Sequence, residues 1–289
     1  LARRARLLGI SDDQKFLSEI ARDTWQYFEN LRDRRTHLLV DHVRVGTAPG
    51  VGSYMSPTNL ALDWIALVAA ADLRLISKEK ALGRIKSSFE TFEKLDRWGA
   101  GFCYNFYHTR HLRVTRNYVS VVDNGWLAAG LIVIRQAFPE AFGEKAGRLL
   151  KRMDFSEFYD ASNGQLKLGF DGDKALFSPY HYGLLATEAR LTSYVAIGKG
   201  DLGEVHWARI YLTLPREWAL QIQVPNGNEQ VLFGVPVFEG SYTYRGKSFV
   251  PSWGGSLFEF LSPTLILKEQ ELAPGGLGRN NVRVTDLHI

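Results

Sequence analysis

Cys103 is the only cysteine in the 289 residues. This excludes an intramolecular disulfide but leaves the compartment open, because many exported proteins have none. No apolar run reaches the roughly 18 residues a membrane-crossing helix needs, so no transmembrane segment is expected. The excess of positive charge is small as well. The net charge is +4, and apart from Arg3, Arg4 and Arg6 the basic residues are scattered, too thinly for a nucleic-acid partner. No repeat with a period of about 20 to 50 residues is present. Several chemical motifs are missing too. Gly275-Gly276-Leu277-Gly278 has no strand before it and is no dinucleotide fingerprint, and Asp171-Gly172-Asp173 is too short for a calcium loop and reads as a turn. His108 and His111 find no carboxylate or cysteine to complete a metal set, and Ser77 and Lys80 fit a serine-lysine motif only by letter. Neither a cofactor nor a metal is expected. The chain begins at Leu1 and not at a methionine, which leaves room for an export signal removed upstream of this numbering.

What is present has globular proportions, with 45% hydrophobic and 23% charged residues; the aromatic share of 12%, with seven Trp and twelve Tyr, is rich. Aromatics in that number either line a cleft with flat rings or fill a core. The length suits one domain. Residues 13–31 carry Phe16, Leu17, Ile20, Ala21, Trp25 and Phe28 on one helical face. Ser56 and Pro57 start a helix whose residues 60–76 are apolar on nearly every side, and Ser77 caps an amphipathic one with Ala81, Ile85, Phe89, Phe92 and Leu95. Residues 124–138 and 140–153 repeat this alternation of buried and amphipathic helix. The pattern predicts two concentric layers of helices. Short strands are expected in residues 99–123, a tight hairpin at Asn163-Gly164, and an inserted β element over 216–250 with turns at Pro225-Asn226-Gly227 and Arg245-Gly246. A last helix is expected from Ser252, and an irregular tail after Pro274.

Residues 178–201 read as one buried helix. Leu184, Leu185, Ala189, Thr192, Val195 and Ala196 share a face, Gly198 and Gly200 end the run, and Glu188 sits in the middle. A carboxylate there is either neutralised by a partner such as Arg190 or His181, or held at a raised pKa in a cleft where it donates a proton. Asp123, at the start of one buried helix, and Glu259, inside another, share the peculiarity. Their plain readings are a helix cap and a buried hydrogen bond to backbone. Three acids on inner helices that converge on one mouth would supply the carboxylate pair that glycoside hydrolysis needs, one protonated to release the leaving oxygen and one ionised.

Five stretches then carry a family resemblance: SPTNLAL at 56–62, YVSVVDNGWLAAGL at 118–131, MDFSEFYD at 153–160, ATEARLTSYVAIGKGD at 186–201 with His206-Trp207, and PSWGGSLFEFL at 251–261. Together they resemble the bacterial glycoamylase-like domain of endo-β-1,2-glucanases and cyclic β-1,2-glucan synthases. The resemblance spans about residues 13–270. It implies an (α/α)6 toroid over residues 13–289, after an N-terminal extension of residues 1–12, and a hydrolase or transglycosylase that acts on a glucan in the periplasm or outside the cell. Its acidic positions fall on Asp123, Glu188 and Glu259, with Glu188 as general acid. Trp126, Trp253, Tyr180, His181, Tyr182 and Arg190 are the expected substrate-binding residues, with Trp64 and Tyr104 as lesser ones.

Gly183 and His108 stand where relatives often carry aspartate. A twelve-helix toroid also exceeds the eight or so helices legible here, which implies an incomplete C-terminal side: either the chain is a fragment of a longer one, or a partner chain supplies the missing helices. The lost aspartates and the short chain keep a second reading open, a non-catalytic carbohydrate-binding or scaffold protein of an exopolysaccharide system. A third, a toroid enzyme for a uronic or amino sugar, would use Arg110, Arg113, Arg116 or Arg190.

Overall fold

The computed structural model describes residues 2–219 and 221–289; Leu1 of the N-terminal extension, the Arg4 side chain of the basic cluster and Leu220 of the period-two stretch lie outside the described residues. In chain order the helices are α1 (Ala2–Leu8), α2 (Asp13–Asn30), α3 (Pro57–Asp72), α4 (Lys78–Phe92), α5 (Val121–Ala137), α6 (Pro139–Arg152), α7 (Arg190–Lys199), α8 (Val205–Ala208), α9 (Leu257–Leu261), α10 (Glu269–Leu272) and α11 (Leu277–His288). Many short antiparallel strands lie between them. The chain forms two compact units. The first holds residues 1–117 and 130–152 and the second holds residues 118–129 and 153–289. Among the described residues no helix is long and apolar enough to cross a membrane.

The first unit follows its sequence signals closely. Ser56 caps α3 in a reciprocal box, in which its hydroxyl accepts from the Asn59 N–H at 3.2 Å and Asn59 Oδ1 accepts from the Ser56 N–H at 2.7 Å, with Pro57 entering the first turn. Ser77 caps α4 in the simpler way. Trp64 of α3 is fully buried between α3 and α4, its Nε1–H donating to Ser88 Oγ at 2.9 Å and its ring meeting Phe92 edge-on at 5.4 Å. Asp63, one residue earlier, is also fully buried and takes both arms of the Arg32 guanidinium. At Gly130 of α5 a Cβ would stand 2.9 Å from Ala61, so the two helix backbones touch where no side chain intervenes. The helix α3 is not enclosed on every side, as its composition suggests. Ala69 and Asp72 are exposed because its last turn runs out to the solvent-facing Leu73.

In the second unit the sequence signals mislead in four places. Residues 178–201 are not one helix: only Arg190–Lys199 are helical, closed by Gly200 in the left-handed region at φ 82°. Upstream, the backbone is committed to pairing. The N–H groups of Leu168, Tyr182, Leu185 and Tyr211 donate to the carbonyls of Tyr180, Leu166, Tyr211 and Gly183, and Pro179 has no N–H to give a helix. Glu188 therefore sits in the turn before α7 instead of mid-helix. Asn226-Gly227 open a strand instead of a turn, because a Cβ on Gly227 would stand 2.1 Å from the Glu239 carbonyl across the ladder; the chain reverses at Phe233-Gly234, both left-handed. The segment after Ser252 is helical only over Leu257–Leu261 and then tightens to a 3₁₀ turn at Pro263. The tail is a helix, α11. Gly278 marks a close approach, with a Cβ there 2.7 Å from the Glu269 carbonyl, and Asn280 ties α11 to Val250 by both its amide groups.

A core cluster of Leu185, Ala186, Ile210, Phe260, Leu277 and Val284 backs these segments. The hairpin at Asn163-Gly164 forms with a four-residue turn and Gly164 at φ 77°. The first turns of α5 pack on α7 at Gly125, where a Cβ would fall 1.9 Å from Thr192 Oγ1.

Candidate active site

A cleft of about 530 Å³ opens in the second unit between the extended residues 179–184 and the loop that follows α8. Tyr180 and Trp253 line it with 71% and 53% of their surface exposed, and Tyr211 and Trp218 add two more accessible rings. Flat, wet rings suit the apolar C–H face of a pyranose. Asn163, Gln165 and His181 supply polar groups on the same wall. His181 is fixed: its Nε2 lies 2.9 Å from Asp160 Oδ2 and 3.2 Å from Asn163 Nδ2. The Asp160 carboxyl is held well below the usual range, first by the hydrogen bond from Ser162 and then by that of His181.

None of the three acids lines this cleft, but the charges of Glu259 and Asp123 both act on Glu188. Glu188 sits in the turn that leads into α7, its carbonyl accepting from the Leu191 N–H at 3.1 Å. Asp123 lies in the first turn of α5, its N–H donating to Ser120 Oγ at 3.3 Å, so Ser120 and not Asp123 plays the capping part. Glu259 lies in the first turn of α9, and its two carboxylate oxygens accept from the Gly254 N–H at 3.1 and 2.8 Å. Burial pushes the Glu188 carboxyl up, and the charges of Glu259 and Asp123 push the same way, against its own backbone N–H and Arg190. Tyr182 connects the acids to the cleft. It lines the cavity, and its phenol is pushed up by burial first and then by Asp123, Tyr118 and Glu188, while a hydrogen bond with Ser120 pulls the other way.

Neither partner expected to neutralise Glu188 does so. His181 belongs to Asp160, and the Arg190 guanidinium is clasped by Glu269 through Nε–Oε1 at 2.7 Å and Nη2–Oε2 at 2.8 Å. Among the described residues Glu188 makes no ion pair. Arg190 is 1% exposed, which removes it from the substrate-binding set, because a sugar cannot reach a side chain that is already enclosed. Trp126, equally buried, is core and not platform, with its Nε1–H unpartnered in the interior; Trp64 packs in the first unit's core. Tyr104 is a half-buried residue of the first unit whose backbone N–H donates to the Tyr107 hydroxyl. Ser193 Oγ stands 2.9 Å from His206 Nε2, whose Nδ1 faces the Gly164 carbonyl, but both are sealed in the interior and form a structural bridge. No group of three or more metal-ligating side chains occurs among the described residues.

Sequence reasoning missed Tyr211, Trp218, Asp160 and Glu269. The first two flank Pro215, where the expected inserted β element begins. A wide ring in an irregular loop is the one signal that could have found them.

The family described as a protein of unknown function, DUF3131, matches residues 19–169. Over 128 residues the chain is 30% identical to the cyclic β-(1,2)-glucan synthase NdvB of Rhizobium meliloti (strain 1021), a match covering 44% of this chain and 4% of the synthase. Among solved structures, it resembles the endo-β-1,2-glucanase of Talaromyces funiculosus in complex with sophorose (TM-score 0.65, 14% identity, 96% of this chain and 61% of that one). The endo-β-1,2-glucanase of Chitinophaga pinensis, in complex with sophorotriose and glucose, gives 0.62 and 17% over 86% of this chain and 59% of that one. The β-1,2-glucanase of Parabacteroides distasonis gives 0.63 and 16% over 91% and 38%. At these identities the likeness is one of fold. The chain spans less than two thirds of the length of each of these proteins.

Proposed function

Because the chain belongs to the DUF3131 family of proteins of unknown function, its activity has to be read from its own site, and we propose that it is a glycoside hydrolase of a bacterial β-1,2-glucan. The observation that carries this reading is Glu188: a carboxyl held above its usual range, with no cation paired to it, beside two further carboxyls and an aromatic cleft. Protonated Glu188 gives its proton to the glycosidic oxygen as the bond from that oxygen to the anomeric carbon breaks. Glu259 or Asp123, ionised, takes a proton from the attacking water or bonds to the anomeric carbon itself. Trp253 and Tyr180 carry the sugar faces, and His181, Asn163 and Gln165 take hydroxyls. Residues 13–289 are then one glucan-active domain of the (α/α) toroid type, exported to meet its polymer. The NdvB match and the sugars named in the glucanase complexes support the β-1,2 linkage.

The test is incubation with linear and cyclic glucans, β-1,2-glucan included, beside Glu188→Gln. Short oligosaccharides from one polymer, released by the wild type alone, is the expected result. Wild-type product that persists at full rate in Glu188→Gln overturns the role of Glu188.

Gly183 and His108, where relatives often carry aspartate, favour a second reading, a glucan-binding or scaffold protein without catalysis. Calorimetric binding of β-1,2-glucan with no product after long incubation selects it.

A further inference from the structure

We propose that the buried Arg190–Glu269 pair is a positioning device, which clamps the Glu188 turn and the Glu259 helix to one another, so that Arg190, Glu269 and Asn281 set the geometry of the acid site without touching substrate. This rests on the glycosidase reading above. The guanidinium has five N–H donors, and all five are used. Two go to the Glu269 carboxylate. Nη1 donates to the carbonyl of Thr187, immediately before Glu188, at 2.8 Å and to the carbonyl of Glu259 itself at 3.3 Å; Nη2 donates to the Phe260 carbonyl at 2.5 Å. One planar group thus bonds to the backbone on both sides of the acid pair.

Glu269 is in turn held from α11, where Asn281 Nδ2 donates to Oε2 at 2.8 Å. Arg190 and Glu269 are 1% and 3% exposed. Burying two charges is no efficient way to gain stability, because their desolvation consumes most of the attraction and an apolar pair of equal volume commonly does as well. The planar fork does what an apolar pair cannot, fixing three carbonyls from two separate segments in one plane. It also confines the Glu188 turn to its half-buried place, where burial pushes that carboxyl above its usual range.

The double variant Arg190→Met/Glu269→Met removes both charges together and keeps the volume. It is expected to melt below the wild type, because the Thr187, Glu259 and Phe260 carbonyls lose their donor, and the folded molecules are expected to lose about 100-fold in kcat on β-1,2-glucan with KM changed by less than about twofold. In ¹³C-glutamate NMR its Glu188 carboxyl is expected to titrate nearer the ordinary glutamate range. Arg190→Lys keeps the charge on Glu269 but loses the fork, and about a tenfold loss of kcat is expected; it carries the same test if the double variant fails to fold. A folded variant with wild-type kcat and an unmoved Glu188 titration overturns the proposal and leaves the pair a structural one. If the wild type cleaves no glucan, the glycosidase reading fails by itself and the NMR titration still decides whether the clamp sets Glu188.

Discussion

Asp63 in the first unit and Glu188 in the second are both acids drawn out of water, and burial pushes both carboxyls up, that of Asp63 to about 6. Their neighbours differ. Asp63 meets the Arg32 guanidinium, which pulls back against burial, whereas Glu188 meets the charges of Glu259 and Asp123, which add to it. A raised carboxyl with its own cation is part of the packing. One left among like charges keeps its proton to a higher pH without a cation to hold.

Glu188→Gln breaks the comparison most sharply, because it keeps the shape and removes the proton. We expect a fall of about 100- to 10,000-fold in glucan cleavage, measured by product release, with the fold intact by circular dichroism. Asp63→Ala tests the other side. It strands Arg32 in a mostly buried place and should cost about 3 to 5 kcal/mol in denaturant unfolding, while activity per folded molecule stays at the wild-type level. Trp253→Ala removes a platform and no charge, so KM should rise about tenfold with a smaller change in kcat.

The smallest effect sharpens the sign of the Glu188 shift. A carboxyl whose folded pKa is raised favours the folded state only while protonated, so its contribution is present below the ordinary value near 4.5 and is lost as pH rises through the folded value. Glu188→Gln escapes that loss. Its melting point should exceed the wild type's by about 2 °C above this window, and the gap should close below it.

Local capping is what the sequence shows best. Ser56-Pro57 and Ser77 start their helices as their side chains dictate, because a cap is satisfied within three residues. Of the three acids the sequence places in buried helices, Glu188 stands in a turn and Glu259 in a five-residue helix whose Phe258 is exposed. The extent of residues 178–201 was not legible, since Leu184 and Leu185 are apolar for a reason the helical period cannot distinguish: they are backbone-paired near Tyr211 and buried in a core of distant residues. Glycine misled in the same way. At Gly227 and Gly278 it permits close approach of two backbones, which looks in sequence like a turn or a loop. The fate of Arg190 depended on Glu269, 79 residues away, beyond the reach of any local pattern.

Gly125 carries a consequence of its own. Its missing Cβ lets the helix of Asp123 lie directly on the helix that Glu188 introduces, against a Thr192 hydroxyl that has no hydrogen-bond partner among the described residues. One nucleotide change, from a glycine to an alanine codon, would drive a methyl group between α5, which bears Asp123, and α7, which the Glu188 turn introduces. In a genetic screen for lost activity, an allele that alters no charged, polar or aromatic residue should therefore fall in the same class as the loss of the acids themselves.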